Sequence, residues 1–196
     1  MNYLAHLFLS PDDAQVRVGN LMGDFVKGSQ LDHLPDNVAF GVMLHRKIDR
    51  FTDQQPEVKA LKQQLSLKRK RFSGIIADIV FDHLLAKYWG SFSQQSLGNF
   101  ASRRYQELLS HQDIMPESMQ LMTTRMVAGN WLESYLKPSA VGTAIDGVSR
   151  RIRFENDLLN AFEEVEPLLT VYQQAFFEFF PKLEAYAKSE FEHLSF

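Results

Sequence analysis

Residues 45 to 53, HRKIDRFTD, set His45, Asp49 and Asp53 at successive four-residue steps, so on a helix they stand in one row. An imidazole and carboxylates in a row can hold a divalent cation or move protons; an ordinary (i, i+4) surface pair beside Arg46 and Arg50 is the plainer alternative. Helical spacing over 36 to 53 gives two stripes. Phe40, Leu44, Ile48 and Phe51 form one; Val38, Val42, His45, Asp49 and Thr52 form the other, with Asp53 beside it. Two valines leading into a histidine describe a face that is buried or half-buried. Ionised groups on such a face need a cation or a dense set of donors.

Two more segments repeat the spacing. In FSGIIADIVFDHLLAKYW, residues 72 to 89, Phe72, Ile75, Ile76, Ile79, Val80 and His83 make a broad apolar face, with Asp82 at its edge and Asp78 one turn behind. Aspartates four apart on a helix repel unless something positive lies between them. His83 fits either a hydrogen-bonded core histidine or a functional one. In GNLMGDFVKG, residues 19 to 28, Asn20 and Asp24 are again one turn apart. Three separated helices thus each offer oxygen or imidazole ligands, which a helical bundle can aim at one central point. The chain has no cysteine, so a metal is held without thiolate. The donor mixture favours Mn²⁺, with Mg²⁺ or Fe²⁺ as alternatives.

The elements that must position these groups are helices. Sustained period-two alternation is missing, and most of the seven prolines fall where a helix would begin. The spacing predicts an all-α, single-domain helical bundle over residues 1–196, with helices at about 2–9, 12–27, 36–53, 56–65, 70–89, 93–110, 117–136, 139–165 and from 168 onward. Pro181 should kink or split the last of them. The aromatic stretch YQQAFFEFFPKLEAYAKSEF reads as core, with an acyl or partner groove as the alternative, and Trp131 and Tyr135 read as core. MNYLAHLFLSPDD has neither a basic leader nor an unbroken apolar span, which predicts a cytoplasmic protein with no membrane segment. A net charge of −3 argues against a general nucleic-acid binder. Positive charge is nevertheless bunched at 68–71, 103–104 and 150–153, where it can meet an acidic partner or simply finish solvated helix ends.

MNYLAHLFLS, GNLMGDFVKG, HRKIDRFTD, DIVFDH and MVAGNWLESY together resemble the acyl carrier protein phosphodiesterases, also called acyl carrier protein hydrolyases, most densely in the first ninety residues. That family is thought to be distantly related to the all-helical HD-domain metal-dependent phosphohydrolases. The chain departs from them in having no His-Asp dipeptide; Asp32–His33 and Asp82–His83 run the other way. Phe8 stands where a second histidine near His6 would be sought, which weighs against a ligand from the first helix.

The resemblance implies an HD-domain-like fold and hydrolysis of the phosphodiester joining 4′-phosphopantetheine to a serine of holo-acyl carrier protein. It points to Asp24, His45, Asp78 and Asp82 as metal ligands. Asp49 and Asp53 would serve as ligands, base or supporting groups, His83 as a proton donor and Arg46 as a phosphate clamp. Arg69, Arg71, Arg150 and Arg153 would meet the acidic carrier protein. Two alternatives remain open: a metal-dependent phosphohydrolase of a small nucleotide or phosphoester, and a non-catalytic helical module that binds the carrier protein.

Overall fold

A computed structural model describes residues 1–192, and among these every regular element is helical. Chain order gives α1 (Tyr3–Phe8), α2 (Ala14–Met22), α3 (Asp36–Gln54), α4 (Pro56–Lys62), α5 (Leu67–Lys70) and α6 (Ser73–Lys87). There follow α7 (Leu97–Ser110), α8 (Glu117–Ala128), α9 (Trp131–Ser134), α10 (Pro138–Arg151), α11 (Phe162–Val165) and α12 (Leu169–Ser189), with short 3₁₀ turns between some of them. The buried apolar side chains form one continuous cluster, so the all-α reading holds. No described helix is long and apolar enough to cross a membrane.

Helix starts follow local chemistry. Asp13 accepts from the backbone N–H of Val16 and Ser96 from that of Asn99, capping α2 and α7, while Pro56 and Pro138 open α4 and α10. Several ends differ from the expected ones. The helix expected over 12–27 stops at Met22. The one expected over 117–136 breaks after Ala128, because Asn130 takes a left-handed conformation (φ 44°) and Tyr105 Oη holds the restart by accepting from Leu132 N–H. The one expected over 139–165 ends at Arg151, where Asn156 ties the following loop back to Ser149. Pro181 lies inside a continuous α12 and does not split it.

Two packings position the site. α2 lies against α3 with backbones in contact: a Cβ added at Gly19 would fall 2.1 Å from the Val38 carbonyl oxygen, and one at Gly41 2.2 Å from that of Val16. Neither helix tolerates a side chain there. α6 runs between α1 and α12, and Phe81 packs on Tyr172, Phe176 and Phe179 with ring centroids 4.8–6.3 Å away. Phe176, Phe179 and Phe180 are therefore core, whereas Phe177 is exposed. Tyr135 is buried and Trp131 half-buried, stacked on Tyr3.

Candidate metal centre

The row read on α3 is half-hidden, as its valines suggested: Val38, Val42, His45 and Thr52 are buried and Asp49 is partly exposed. His45 Nε2 lies 3.1 Å from an Asp49 oxygen and 3.4 Å from an Asp24 oxygen. The third member comes from α1. His6 Nε2 lies 3.2 Å from the other Asp49 oxygen, and the two imidazoles stack at 4.0 Å with 17° between their planes. Ligand atoms of His6, His45 and Asp49 all fall within 4.8 Å of one another.

Asn20, fully buried on α2, orients both rings. Its side-chain nitrogen donates to the His6 carbonyl and to Ser10 Oγ, so its oxygen is the atom that faces His6 Nδ1 at 2.9 Å. That oxygen can only accept, which puts the proton on Nδ1 and leaves a lone pair on His6 Nε2. Its backbone carbonyl, in the last turn of α2 where carbonyls lack helical partners, lies 2.7 Å from His45 Nδ1 and forces the same tautomer there. Gly23 completes the seat: a Cβ there would sit 2.2 Å from His45 Cγ.

Fit to a cation follows from this donor set. His6 Nε2 is buried without a hydrogen-bond partner, and its lone pair points at a carboxylate oxygen, an arrangement that is repulsive unless a positive charge lies between them. The 3.1–3.2 Å separations suit neighbouring ligands of an octahedral ion, which lie about 3 Å apart when each bond is about 2.1 Å. Imidazole and carboxylate donors of this kind are compatible with a divalent metal ion.

Electrostatics reinforce the pairing. Burial would lower His45, but the Asp24 and Asp49 carboxylates win and raise its pKa to about 9. His6 goes the other way, lowered to about 4 by burial and by the charge of His45. Asp49 is held far below the usual carboxylate range: burial opposes this, and the Met1 ammonium and both histidines outweigh it. The Met1 nitrogen lies 2.9 Å from both Asp49 and Asp78. Despite burial, those two charges raise its pKa to about 11, whereas burial pushes the Asp78 carboxyl up.

Comparison with known proteins decides the family. A family model described as acyl carrier protein phosphodiesterase matches residues 1–183. The chain belongs to the acyl carrier protein phosphodiesterase family. A relative of that name from Serratia proteamaculans is 31% identical over 191 residues, covering 97% of this chain and 99% of the relative. Another, from Yersinia pestis, is 29% identical over 184 residues, covering 93% and 95%. No solved structure matches the chain.

Within this family member, the residues singled out by spacing do different things. Asp24 and His45 come together with Asp49, and Asp78 adjoins them through the Met1 ammonium. Asp82 is fully buried and accepts from the backbone N–H groups of Leu4 (2.7 Å) and Ala5 (3.0 Å), so both oxygens are engaged at the start of α1 and hold the helix that carries His6. Asp53 pairs with Lys62 at 2.8 Å. His83 is buried with Nδ1 2.6 Å from the Tyr135 carbonyl, and burial lowers its pKa. Arg46 donates to the Val26 carbonyl at 3.0 Å, fastening the loop after α2.

The basic residues divide as well. Arg69 is a correction: it is buried, with its guanidinium bonded to Glu164 and to the carbonyls of Asp157 and Leu159, so it offers no free surface cation. Arg71, Arg150 and Arg153 are exposed. The first lies over the rings of Phe72 and Phe154. Arg151, in the same basic run, donates from Nε to the Gly147 carbonyl at 3.2 Å.

The candidate ligand that sequence reasoning weighed against is His6, and here the structure corrects it by placing His6 beside His45 and Asp49. Its helix is only six residues long, too short to show a period, and its partners are Asn20 and Asp49, far away in the chain. The available signal was Gly19 and Gly23 bracketing Asn20, a spacing that announces a helix packed very closely on its neighbour.

Proposed function

We propose that this chain removes 4′-phosphopantetheine from holo-acyl carrier protein by hydrolysing the phosphodiester to the carrier's serine, leaving apo-protein. The observation that carries this reading is the convergence of His6 Nε2, His45 Nε2 and an Asp49 carboxylate at one point in a member of this family. His6, His45 and Asp49 would hold a divalent ion, with Asp24 as a fourth donor and Mn²⁺ as the favoured metal. Bound there, such an ion supplies positive charge to a phosphate oxygen and acidity to water.

The chain's own groups support the rest. Asn20 fixes both imidazoles, and Asp82 fixes the helix that brings His6. The Met1 ammonium keeps Asp49 ionised. Asp78 borders the same cavity as Asp49 and pairs with the Met1 ammonium; burial pushes its pKa upward, the direction that suits a group exchanging a proton with the serine oxygen. Arg71, Arg150 and Arg153 would attract the acidic carrier protein and orient it on encounter. We read the chain as one domain acting in the cytoplasm on this protein substrate, without nucleic acid or a membrane.

The test is direct. Chelator-treated protein is given holo-acyl carrier protein and Mn²⁺, and mass spectrometry follows the carrier. Loss of the phosphopantetheine arm only when metal is restored is the expected result. A carrier left intact with every divalent ion tried would overturn the reading.

A further inference from the structure

We propose that the cavity beside Asp49 seats the pantoyl end of the phosphopantetheine arm, and that Gly74 keeps this seat open. The inference rests on the substrate reading given above. The cavity measures about 480 Å³, a size for part of a small molecule and not for a folded carrier domain. It includes Asp49, so a phosphodiester held at the His6–His45–Asp49 cluster would lie at its edge. Of the two branches leaving that phosphate, the serine branch belongs to a protein that must stay outside. The arm is the branch that can enter.

The wall mixes charges of both signs with the apolar side chain of Ile75. Asp78, Ile75 and Gly74 all line it from the first turns of α6, and the step from Asp78 back to Gly74 is about 6 Å of helix. Of its cations, Lys62 pairs with Asp53 and the Met1 ammonium with Asp49 and Asp78, whereas Lys70 meets the uncharged Gln63 side-chain oxygen and Arg71 lies over Phe72 and Phe154. Half-buried Ile75 offers apolar surface to the geminal methyl groups of the pantoyl unit, and the surrounding polar side chains suit its hydroxyl and amide.

Gly74 has no packing reason to be glycine. At Gly19, Gly23 and Gly41 an added Cβ would collide with neighbouring atoms, whereas at Gly74 it would meet only Lys62 Nζ, at 4.0 Å. Glycine weakens a helix relative to any ordinary residue, so its place near the start of α6 goes against local stability. The space beside its backbone, into which a larger side chain would project, is part of the cavity.

The experiment compares Gly74→Ala, Gly74→Leu and Gly74→Phe with the parent protein, all loaded with Mn²⁺, using calorimetric binding of free 4′-phosphopantetheine and of inorganic phosphate. Leu should weaken 4′-phosphopantetheine binding by about tenfold or more and Phe further, with Ala close to the parent and phosphate affinity unchanged throughout. Melting temperatures should not fall, since every replacement is a better helix former. Parent-like binding of 4′-phosphopantetheine by the Leu and Phe variants, equal loss of phosphate, or no binding of 4′-phosphopantetheine by the parent would each overturn the inference. Intact holo-carrier protein in the parent reaction would instead overturn the substrate reading, and the calorimetry reports on the cavity separately.

Discussion

α6 turns two unlike faces to the molecule. On one, Phe81 meets Tyr172, Phe176 and Phe179 in a cluster without a charge; on the other, Asp82 gives both oxygens to α1 and Asp78 faces the Met1 ammonium. Aromatic contacts are many and individually weak, so the first face should lose stability in proportion to the atoms removed. Each polar atom on the second has one or two named partners. Loss there should be abrupt, and should register in metal binding before it registers in folding.

The sharpest way to break this comparison pairs Asp49→Asn with Phe176→Ala. Asparagine keeps the shape of Asp49 but removes its charge, and should weaken Mn²⁺ binding by on the order of a hundredfold or more with a native circular dichroism spectrum. Phe176→Ala should cost about 3–5 kcal/mol in urea unfolding while the folded fraction binds metal normally. The distinction between the two faces collapses if both variants lose stability and metal affinity together.

A second, smaller effect concerns orientation without ligation. Asn20→Leu keeps the side-chain branching and heavy-atom count and removes the group that presents His6, so Mn²⁺ affinity should fall roughly 10- to 100-fold. Asn20→Asp still accepts from Nδ1 and should recover part of that loss. Isothermal titration of both variants checks the order, and an Asn20→Leu protein with parent affinity would show that His6 needs no clamp.

The smallest effect separates the two histidines. His45 holds its proton up to about pH 9, whereas His6 has lost its own above about pH 4. Between those values metal binding must displace one proton, not two, so affinity should rise about tenfold per pH unit and level off near 9. The sign for folding is the reverse. Since the folded pKa of His45 is raised, its contribution to the stability of the metal-free protein is full below the ordinary histidine value of 6.5 and is lost as pH rises through about 9. Titrations at several pH values, with matched unfolding curves of chelated protein, read both slopes.

Much of this was legible in the chain. The α3 row could be read because a long helix repeats its face five times, and the all-α class because period-two alternation is missing. Spacing reports a face, however, and not which atoms on it are already taken. Asp82 carries the same spacing signal as Asp78, yet its oxygens are engaged by backbone N–H groups from a helix more than seventy residues earlier. Arg69 sits in a basic run and is nevertheless internal, because Glu164 and two carbonyls surround it. Helix ends at Asn130 and Arg151 depend on a left-handed residue and a loop tie, which leave little trace in hydrophobic period.

Asn20 presents one imidazole with its side chain and the other with its backbone oxygen. Heritable change at this codon can therefore disturb His6 alone. The hold on His45 belongs to the main chain and survives any replacement that leaves α2 in place, so half of the arrangement lies beyond the reach of a point mutation at that position.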